Sequence, residues 1–293
     1  MSFRVRIYNG KPHNTMKKYA VVQLITYVIM LTYGLIVVFP MVWALYSSFK
    51  TNREFFADPW ALPRGFHFEN YIYAWNRANL GKYFFNSVVV TGIAVVVLII
   101  LGSMLAYVVA RTPNYKPSAA IGNLFMFGLL VPMVFGVLPT FLLLNRLNLL
   151  DTIRGITLVY IANGLAFTFF VLQSFFKTIP SVLEEAALID GCSLNQAFWL
   201  IIFPLARPGI VTVSIFNFLS FWNEYILANT LISTDKVRTL PIGLAMLMTI
   251  AQRQTNWGAM FAGMIIITIP AIVIYSLFQK GLTRGITVGA VKM

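Results

Sequence analysis

The residues best suited to act on another molecule lie together between two apolar stretches, in the segment 178–206. Ala186 and Ala187 leave a low ridge on a short helix, and neighbouring carboxylates supply charge for basic or backbone partners. A helix of this shape suits insertion into a groove of another protein. An amphipathic helix that lies on the membrane surface is the alternative interpretation. The candidate contact residues are Glu184, Glu185, Ala186, Ala187, Asp190, Gly191 and Pro204.

Local signals divide this segment into two helices. The S-x-x-E motif at Ser181 is a capping box, which predicts a helix that starts there and ends at Gly191. The S-x-x-Q motif at Ser193 repeats the signal and predicts a second helix over 194–203. Pro204 lacks a backbone donor, so it is expected to end that helix and bend the chain toward the next apolar stretch.

The composition places the chain in a membrane. Hydrophobic residues make up 59% of the 293 residues and charged residues 11%, whereas an average soluble domain has about 25% charged residues. Several uncharged windows are long enough to cross a hydrocarbon core of about 30 Å as helices. The sequence therefore predicts an all-α membrane protein with six transmembrane helices in a membrane domain over 19–280. The expected spans are 19–46, 83–110, 118–144, 155–176, 208–233 and 257–280.

The segments outside the spans indicate the orientation. Residues 1–18 form a basic N-terminal segment, 50–82 an aromatic-rich outer loop and 281–293 a C-terminal tail. An even number of spans puts both termini on one side, and basic segments favour the cytoplasm, so both termini are expected there. The net charge of +13 is scattered between spans, which indicates membrane lipid as a partner and argues against nucleic acid.

The single cysteine, Cys192, limits the possible chemistry. One cysteine excludes an internal disulfide and any metal site that needs several thiolates. We expect a small buried side chain at this position and no metal site in the chain.

The spacing in the loop 178–206 resembles a known family motif. Glu185-Ala186-Ala187, Gly191 and Pro204 stand at the intervals of the EAA loop of ATP-binding-cassette (ABC) importer permeases. Phe203 departs from the pattern, because the family usually has Leu there. The resemblance implies that the loop is cytoplasmic and docks into a separate ATPase subunit. The phosphate-binding motif G-x-x-x-x-G-K-[ST] does not occur in the sequence, so ATP and Mg are expected on partner ATPase subunits, with no cofactor on this chain and no enzyme activity.

Three further segments resemble the carbohydrate branch of these importers, the type of the second permease subunit of the maltose transporter. They are the F-W-N-E-Y block at 221–225, the T-L-P-I-G-L block at 239–244 and the G-L-T…G-A-V-K tail over 281–292. The resemblance implies a bacterial inner-membrane subunit that pairs with a second, related permease as a heterodimer. Two ATPase subunits, an external solute-binding protein and a sugar or oligosaccharide complete the implied set of partners.

Polar residues within the predicted spans are candidates for the substrate path. They are Asn163, Asn217, Trp222, Asn223 and Glu224. As part of a continuous fifth span, Glu224 would lie near the outer edge of the membrane, where it could contact sugar hydroxyls or bond to a backbone amide or a lysine. Trp222 could equally belong to an aromatic belt. Asn163-Gly164 could break the fourth span, or Gly164 could serve helix packing.

The uncharged stretch 239–252 is too short to span a membrane and predicts a re-entrant or interfacial segment. By the family resemblance it would face the external binding protein, although packing against neighbouring helices is equally compatible with its residues. The candidate contact residues are Thr239, Pro241, Met246, Met248 and Trp257.

Two other functions remain open at this point. ABC permeases for amino acids, polyamines, phosphate or metals also carry EAA loops, so the cargo could be a solute other than a sugar. An ion-driven secondary transporter would be expected to have several buried acidic or histidine residues and an internal repeat. The predicted spans contain only Glu224 as a carboxylate, and no repeat is visible.

Overall fold

The computed structural model describes the backbone of residues 12–290 and the side chains of residues 22–279. Within this range the chain is helical and contains no strand, which confirms the predicted all-α class. The helices are α1 Pro12–Ser47, α2 Asn52–Ala57, α3 Glu69–Ile72, α4 Leu80–Arg111, α5 Lys116–Leu130, α6 Met133–Arg146, α7 Ile153–Thr178, α8 Val182–Ile189, α9 Leu194–Ala197, α10 Phe203–Leu205, α11 Arg207–Trp222, α12 Ile226–Leu231, α13 Leu240–Gln254 and α14 Trp257–Ala290. Single π-helical turns follow α3 and α9, at Tyr73–Arg77 and Phe198–Ile202.

Four helices, α1, α4, α7 and α14, are long and apolar enough to cross a membrane in the described part of the chain. Two bent helix pairs bring the number to six if each pair is one span: α5 with α6, and Leu194–Leu205 with α11. The expected tail is largely helical, since α14 continues to Ala290, and residues 291–293 lie outside the described range. The basic residues of the N-terminal segment also lie outside the described side chains.

Two predicted spans are not continuous helices. The third, 118–144, reverses by 106° between α5 and α6, because Pro132 holds Val131 in an extended conformation (φ −80°, ψ 116°) and supplies no backbone donor. The fifth, 208–233, ends at Trp222 and resumes as the short α12. The predicted fourth span is the continuous α7, so the possible break at Asn163-Gly164 is absent.

The centre of the fold is the pair α4 and α7, which pack side by side along their lengths. Small residues permit this close approach. A Cβ on Gly164 would lie 2.5 Å from Leu98 Cδ2, and a Cβ on Gly102 would lie 2.7 Å from Thr168 Cγ2. Gly164 therefore serves helix packing. α11 packs against both helices of this pair and α14 packs against α11 and α13, whereas most of α1 is exposed along its apolar surface.

One end of the bundle carries a helical cap formed by residues 48–79, which replaces the simple loop expected at 50–82. Lys50 is 1% exposed and its ammonium donates to the carbonyl oxygens of Asp58 (3.3 Å) and Pro59 (2.8 Å). Burial lowers the pKa of Lys50, although Asp58 and Glu54 oppose that shift. Asn70 Nδ2 donates to the carbonyls of Ser48 and Lys50. We call this the cap end.

The opposite end of α4 meets the segment between α7 and α11. α4 has 32 residues and at 1.5 Å per residue is about 48 Å long, so its Leu80 end lies at the cap and its Arg111 end far from it. We call the Arg111 end, with the loop 178–206, the loop end. α1 runs toward the cap and ends there, whereas α14 begins at the cap and runs away from it, so the start of α1 and the end of α14 both point toward the loop end.

Candidate functional site

α8 divides the predicted contact residues between two faces. Glu184 and Ala187 point inward, with 9% and 4% of their surface exposed, because residues three apart share a helix face. Glu185 and Ala186 lie on the outward face. The predicted ridge of two alanines is therefore wrong in part: Ala186 belongs to the free surface, and Ala187 packs against the protein.

The first predicted capping box is also wrong. Ser181 is helical (φ −64°, ψ −26°) and its side chain makes no capping hydrogen bond. The Glu184 carboxylate is engaged elsewhere, because Arg111 Nε donates to its Oε1 (2.6 Å) and the Tyr107 hydroxyl donates to its Oε2 (3.1 Å). Because both the guanidinium and the carboxylate are charged, this charge-assisted bond takes the place of the predicted bond to the Ser181 amide.

The end of α8 follows the prediction closely. Gly191 has φ +89°, its N–H donates to the Leu188 carbonyl (3.1 Å), and the Cys192 N–H donates to the Ala187 carbonyl (2.9 Å). These two bonds form a Schellman motif, which requires the left-handed conformation that glycine adopts at low cost. Ser193 starts the next helix with the predicted capping box, so the chain turns within three residues.

Pro204 does not end the second helix of the loop. The π turn Phe198–Ile202 precedes it, and the chain bends by 74° two residues after it, at Ala206. The wider π turn accommodates the missing donor of proline within the helical path. Beneath the loop, Phe198 and Ile202 pack with Phe176 in a core that also includes side chains of α4 and α11.

The outward surface of the loop is more apolar than the sequence suggested. Ile189 is 86% exposed, and Val182 and Leu194 are exposed as well. Large exposed apolar side chains that cluster on one element indicate a protein contact. Sequence reasoning missed Val182 and Ile189 because they continue the apolar pattern of α8. The position of Ile189, on the face opposite Glu184 and beside a helix-ending glycine, is the signal that identifies it.

Some of the predicted path residues line an open recess of about 530 Å³ beside the α5–α6 break. Asn163 of α7 and Asn217 of α11 face it together with Ser220. Asn217 Nδ2 donates to Thr168 Oγ1 and to the Val213 carbonyl, both at 2.8 Å. Among the described residues no donor reaches Asn217 Oδ1, so this oxygen is an acceptor at the wall of the recess.

Trp222 and Asn223 do not line this recess. Trp222 is 1% exposed and its indole N–H donates to the Ile267 carbonyl (2.9 Å), so it joins α11 to α14 rather than forming an aromatic belt. The Asn223 side chain donates back to the Leu219 carbonyl (2.8 Å) at the end of its own helix.

The Glu224 carboxylate caps the start of α12 from the position before the N-cap residue Tyr225. Its Oε1 accepts from the Leu227 N–H (2.7 Å), and its Oε2 accepts from the Ala228 N–H (2.9 Å) and the Tyr160 hydroxyl (3.0 Å). A carboxylate with these donors stabilises the start of a helix. Of the two roles considered for Glu224, the backbone-bonded one fits the geometry, and no sugar contact is needed to explain the charge.

The residues expected to contact a binding protein separate into buried and exposed sets. Thr239 and Pro241 are buried at the start of α13, which makes them unavailable to a partner in this conformation. Met246 and Met248 are exposed on α13. Trp257 is half-buried and stacks on Phe55 at 5.8 Å between ring centroids, so it helps to attach α14 to the cap.

The segment between α12 and α13 is attached to α4 by Asp235. This carboxylate accepts from the Tyr83 hydroxyl, from Lys82 (3.2 Å) and from Arg238 (3.1 Å). The hydrogen bond from Tyr83 is the main cause that lowers the pKa of Asp235, and the two cations lower it further. The network fixes α13 at the cap end.

A helical membrane bundle with a loop that exposes apolar side chains between two spans is typical of a transporter permease. The chain belongs to the family of binding-protein-dependent transport system inner membrane components, whose pattern matches residues 99–288. This membership decides against an ion-driven secondary transporter. The chain is accordingly an inner-membrane permease subunit and not an enzyme, and the ATPase of such a transporter is a separate subunit.

Relatives with high coverage support this assignment. The chain is 37% identical over 265 residues to a diacetylchitobiose uptake system permease protein of Streptomyces coelicolor, with 90% of this chain and 87% of the relative covered. It is 34% identical over 253 residues to a trehalose transport system permease protein of Mycobacterium tuberculosis, with 86% and 92% covered.

A solved structure shares the fold. A chain in the crystal structure of a bacterial ABC transporter involved in the import of the acidic polysaccharide alginate superposes with a TM-score of 0.79. The two chains are 22% identical, and the match covers 96% of this chain and 99% of the other.

Proposed function

We propose that this chain is one of two permease subunits of an ATP-driven importer and forms half of the path for a sugar or oligosaccharide. The observation that carries the cargo class is its 37% identity, over 90% of the chain, to a permease for diacetylchitobiose uptake. Further relatives named for trehalose and for starch degradation products favour a sugar over the other solutes that ABC importers carry.

The loop 178–206 is the proposed docking element for the ATPase. The outward face of α8 offers Glu185 and Ala186 together with the exposed side chain of Ile189. An apolar anchor beside a charge is typical of a helix that enters a groove. The inward face is occupied by the bonds of Glu184 to α4 and by contacts with α9 and the π turn, so one helix can bind a partner and the permease at the same time.

The proposed orientation puts the loop end in the cytoplasm and the cap end outside. Because the start of α1 and the end of α14 both point toward the loop end, this orientation places both chain termini in the cytoplasm. Met246 and Met248 then belong to an outward region that can meet the external solute-binding protein.

The recess beside the α5–α6 break is the proposed sugar contact of this subunit. Asn217 Oδ1 can accept a hydrogen bond from a hydroxyl, Asn163 offers a second amide, and Phe167 and Phe216 provide apolar walls. A few polar groups among aromatic side chains suit a ligand with hydroxyl groups on an apolar ring. A second, related permease subunit is proposed to supply the other half of the path.

The remaining partners follow from the division of labour. Two ATPase subunits are proposed to hold ATP and Mg, because this chain has no phosphate-binding motif. Membrane lipid covers the exposed apolar surfaces that no subunit contacts, including much of α1.

Uptake by the assembled transporter in proteoliposomes tests the proposal. With ATP inside and the binding protein outside, labelled di- and oligosaccharides should accumulate, whereas amino acids and phosphate should not. A protonophore should leave uptake unchanged, and an inactive ATPase should abolish it. Uptake of a non-sugar solute alone would overturn the cargo class, and uptake that a protonophore abolishes would overturn the energy source.

A further inference from the structure

Most polar contacts between α4 and the loop 178–206 are made by one side chain, Arg111. Its Nε donates to Glu184 Oε1 (2.6 Å), one terminal nitrogen donates to the Phe176 carbonyl (3.0 Å), and the other donates to the Ile179 carbonyl (3.1 Å). Arg111 is the last residue of α4, and its guanidinium therefore binds both Glu184 of α8 and two carbonyls at the end of α7. Only arginine has donors in this planar fork.

These contacts lie in a shielded place. The Arg111 and Glu184 side chains are 18% and 11% exposed, and Tyr107 gives the carboxylate a further hydrogen bond. The Tyr107 ring packs against Phe198 of the loop at 4.8 Å between centroids. Partial burial strengthens an ion pair with good geometry, and it makes the loss of either partner costly.

The order of the helices along the chain shows why the contacts of Arg111 and Tyr107 with the loop matter. The loop 178–206 is covalently continuous with α7 and with α11, so movement of α8 reaches those helices through the backbone. α4 is followed by α5 and has no chain connection to the loop. In the described part of the chain, Arg111 and Tyr107 make all the polar links between α4 and the loop.

We propose that Arg111 is a positioning residue that transmits displacement of α8 to α4, so that the second span moves with the loop when the ATPases close. This inference rests on the proposed ABC function. α4 lines the core of the bundle against α7, so moving α4 and α7 together preserves their packing at Gly102 and Gly164. Without the fork, α4 is linked to the loop only by the Tyr107 hydrogen bond and by packing against Phe198 and α7, so it follows the movement of α8 less closely.

The test compares sugar uptake per ATP hydrolysed in proteoliposomes of the complete transporter. Arg111→Gln should lower this ratio by at least about fivefold, the lower end of the usual range for coupling between sites, while the ATPase subunits still co-purify. The matched control is Lys177→Gln, which removes an exposed cation at the same end of α7. Lys177→Gln should keep the wild-type ratio.

The double variant Arg111→Gln with Glu184→Gln separates transmission from charge compensation. It removes the unpaired carboxylate, so the complex should assemble as well as wild type, yet the ratio should stay low. A wild-type ratio in the double variant, or in Arg111→Gln alone, overturns the proposal. If Arg111→Gln fails to assemble, Arg111→Lys decides, because it keeps the charge but lacks the planar fork that reaches the separated acceptors. A wild-type ratio in Arg111→Lys overturns the proposal.

A failure of the proposed function would look different. Wild-type liposomes would then show no ATP-driven sugar uptake, whatever the state of Arg111. ATP hydrolysis stimulated by the binding protein gives a second reading that does not depend on the identity of the sugar.

Discussion

The two ends of the α4–α7 pair are completed in different ways. At the cap end, polar and aromatic groups satisfy one another within the chain: Lys50 bonds to two carbonyls, Asn70 to two more, and Trp257 stacks on Phe55. At the loop end, the inward face of α8 is fixed by Arg111, and Ile189 is exposed on its outward face. The cap exposes apolar side chains too, among them Trp60, Leu62 and Phe66, but on a segment that its buried polar contacts hold in place.

The difference separates two functions of the fold. The cap end holds its shape without a partner, which suits a surface that meets successive copies of a binding protein. At the loop end, the exposed face of α8 is the surface that we propose to bind the ATPase. Changes at the loop end should therefore reduce transport more than stability, and changes near the cap end should do the reverse.

The largest expected effect is that of Gly191→Pro at the loop end. Proline cannot adopt the φ of +89° and has no N–H for the Leu188 carbonyl, so the turn should lose about 3 kcal/mol or more. ATP-driven uptake should fall to the level of empty liposomes, while membrane insertion stays normal. Gly191→Asn is the control, because asparagine tolerates left-handed φ, and it should retain uptake. Normal uptake in Gly191→Pro would remove the loop from the mechanism.

A smaller effect is expected for Glu224→Gln, which keeps one acceptor oxygen of the α12 cap. The start of α12 should lose about 1 kcal/mol, and hydrogen exchange at the Leu227 and Ala228 amides should rise about fivefold. Asn223→Ala removes only a bond to Leu219 and should leave both amides protected. Unchanged exchange combined with lost uptake would instead assign Glu224 to the sugar path.

The smallest effect concerns the cap end in acid. The Thr51 amide bonds to the Glu54 carboxylate and is the main cause that lowers the pKa of Glu54 below its ordinary value of 4.5. A lowered pKa means that the stabilisation is present above the ordinary value and is lost as pH falls through the lowered one. Thermal unfolding from about pH 7 to about pH 3 should show wild type more stable than Glu54→Gln near neutrality, with the gap closing in acid. A gap that widens in acid would contradict the assignment.

Local signals predicted much of the loop end. The glycine that ends α8, the capping box at Ser193 and the membrane location all follow from short-range rules, and they are present in the structure. The outcome at Ser181 was different, because Glu184 bonds to Arg111, which is far away in sequence. A short-range rule fails where a distant charge competes for the same side chain.

The interruptions of the spans were harder to predict. Hydropathy reports only whether a segment is apolar, and it remains apolar through the 106° bend at Val131-Pro132. The end of α11 at Trp222 depends on where the Glu224 carboxylate finds its donors. Both features concern backbone hydrogen bonds made or lost at single residues, so the pattern of the surrounding apolar residues does not encode them.

The central claim is that the exposed face of α8 binds the ATPase, and Ile189→Asp tests it most directly. Its matched control is Leu62→Asp, since Leu62 is 74% exposed in the segment that forms the cap and Ile189 is 86% exposed on α8. The measurement is the amount of ATPase that co-purifies with each variant from detergent. Ile189→Asp should lose the ATPase and Leu62→Asp should keep it. Equal ATPase recovery with both variants would contradict the claim.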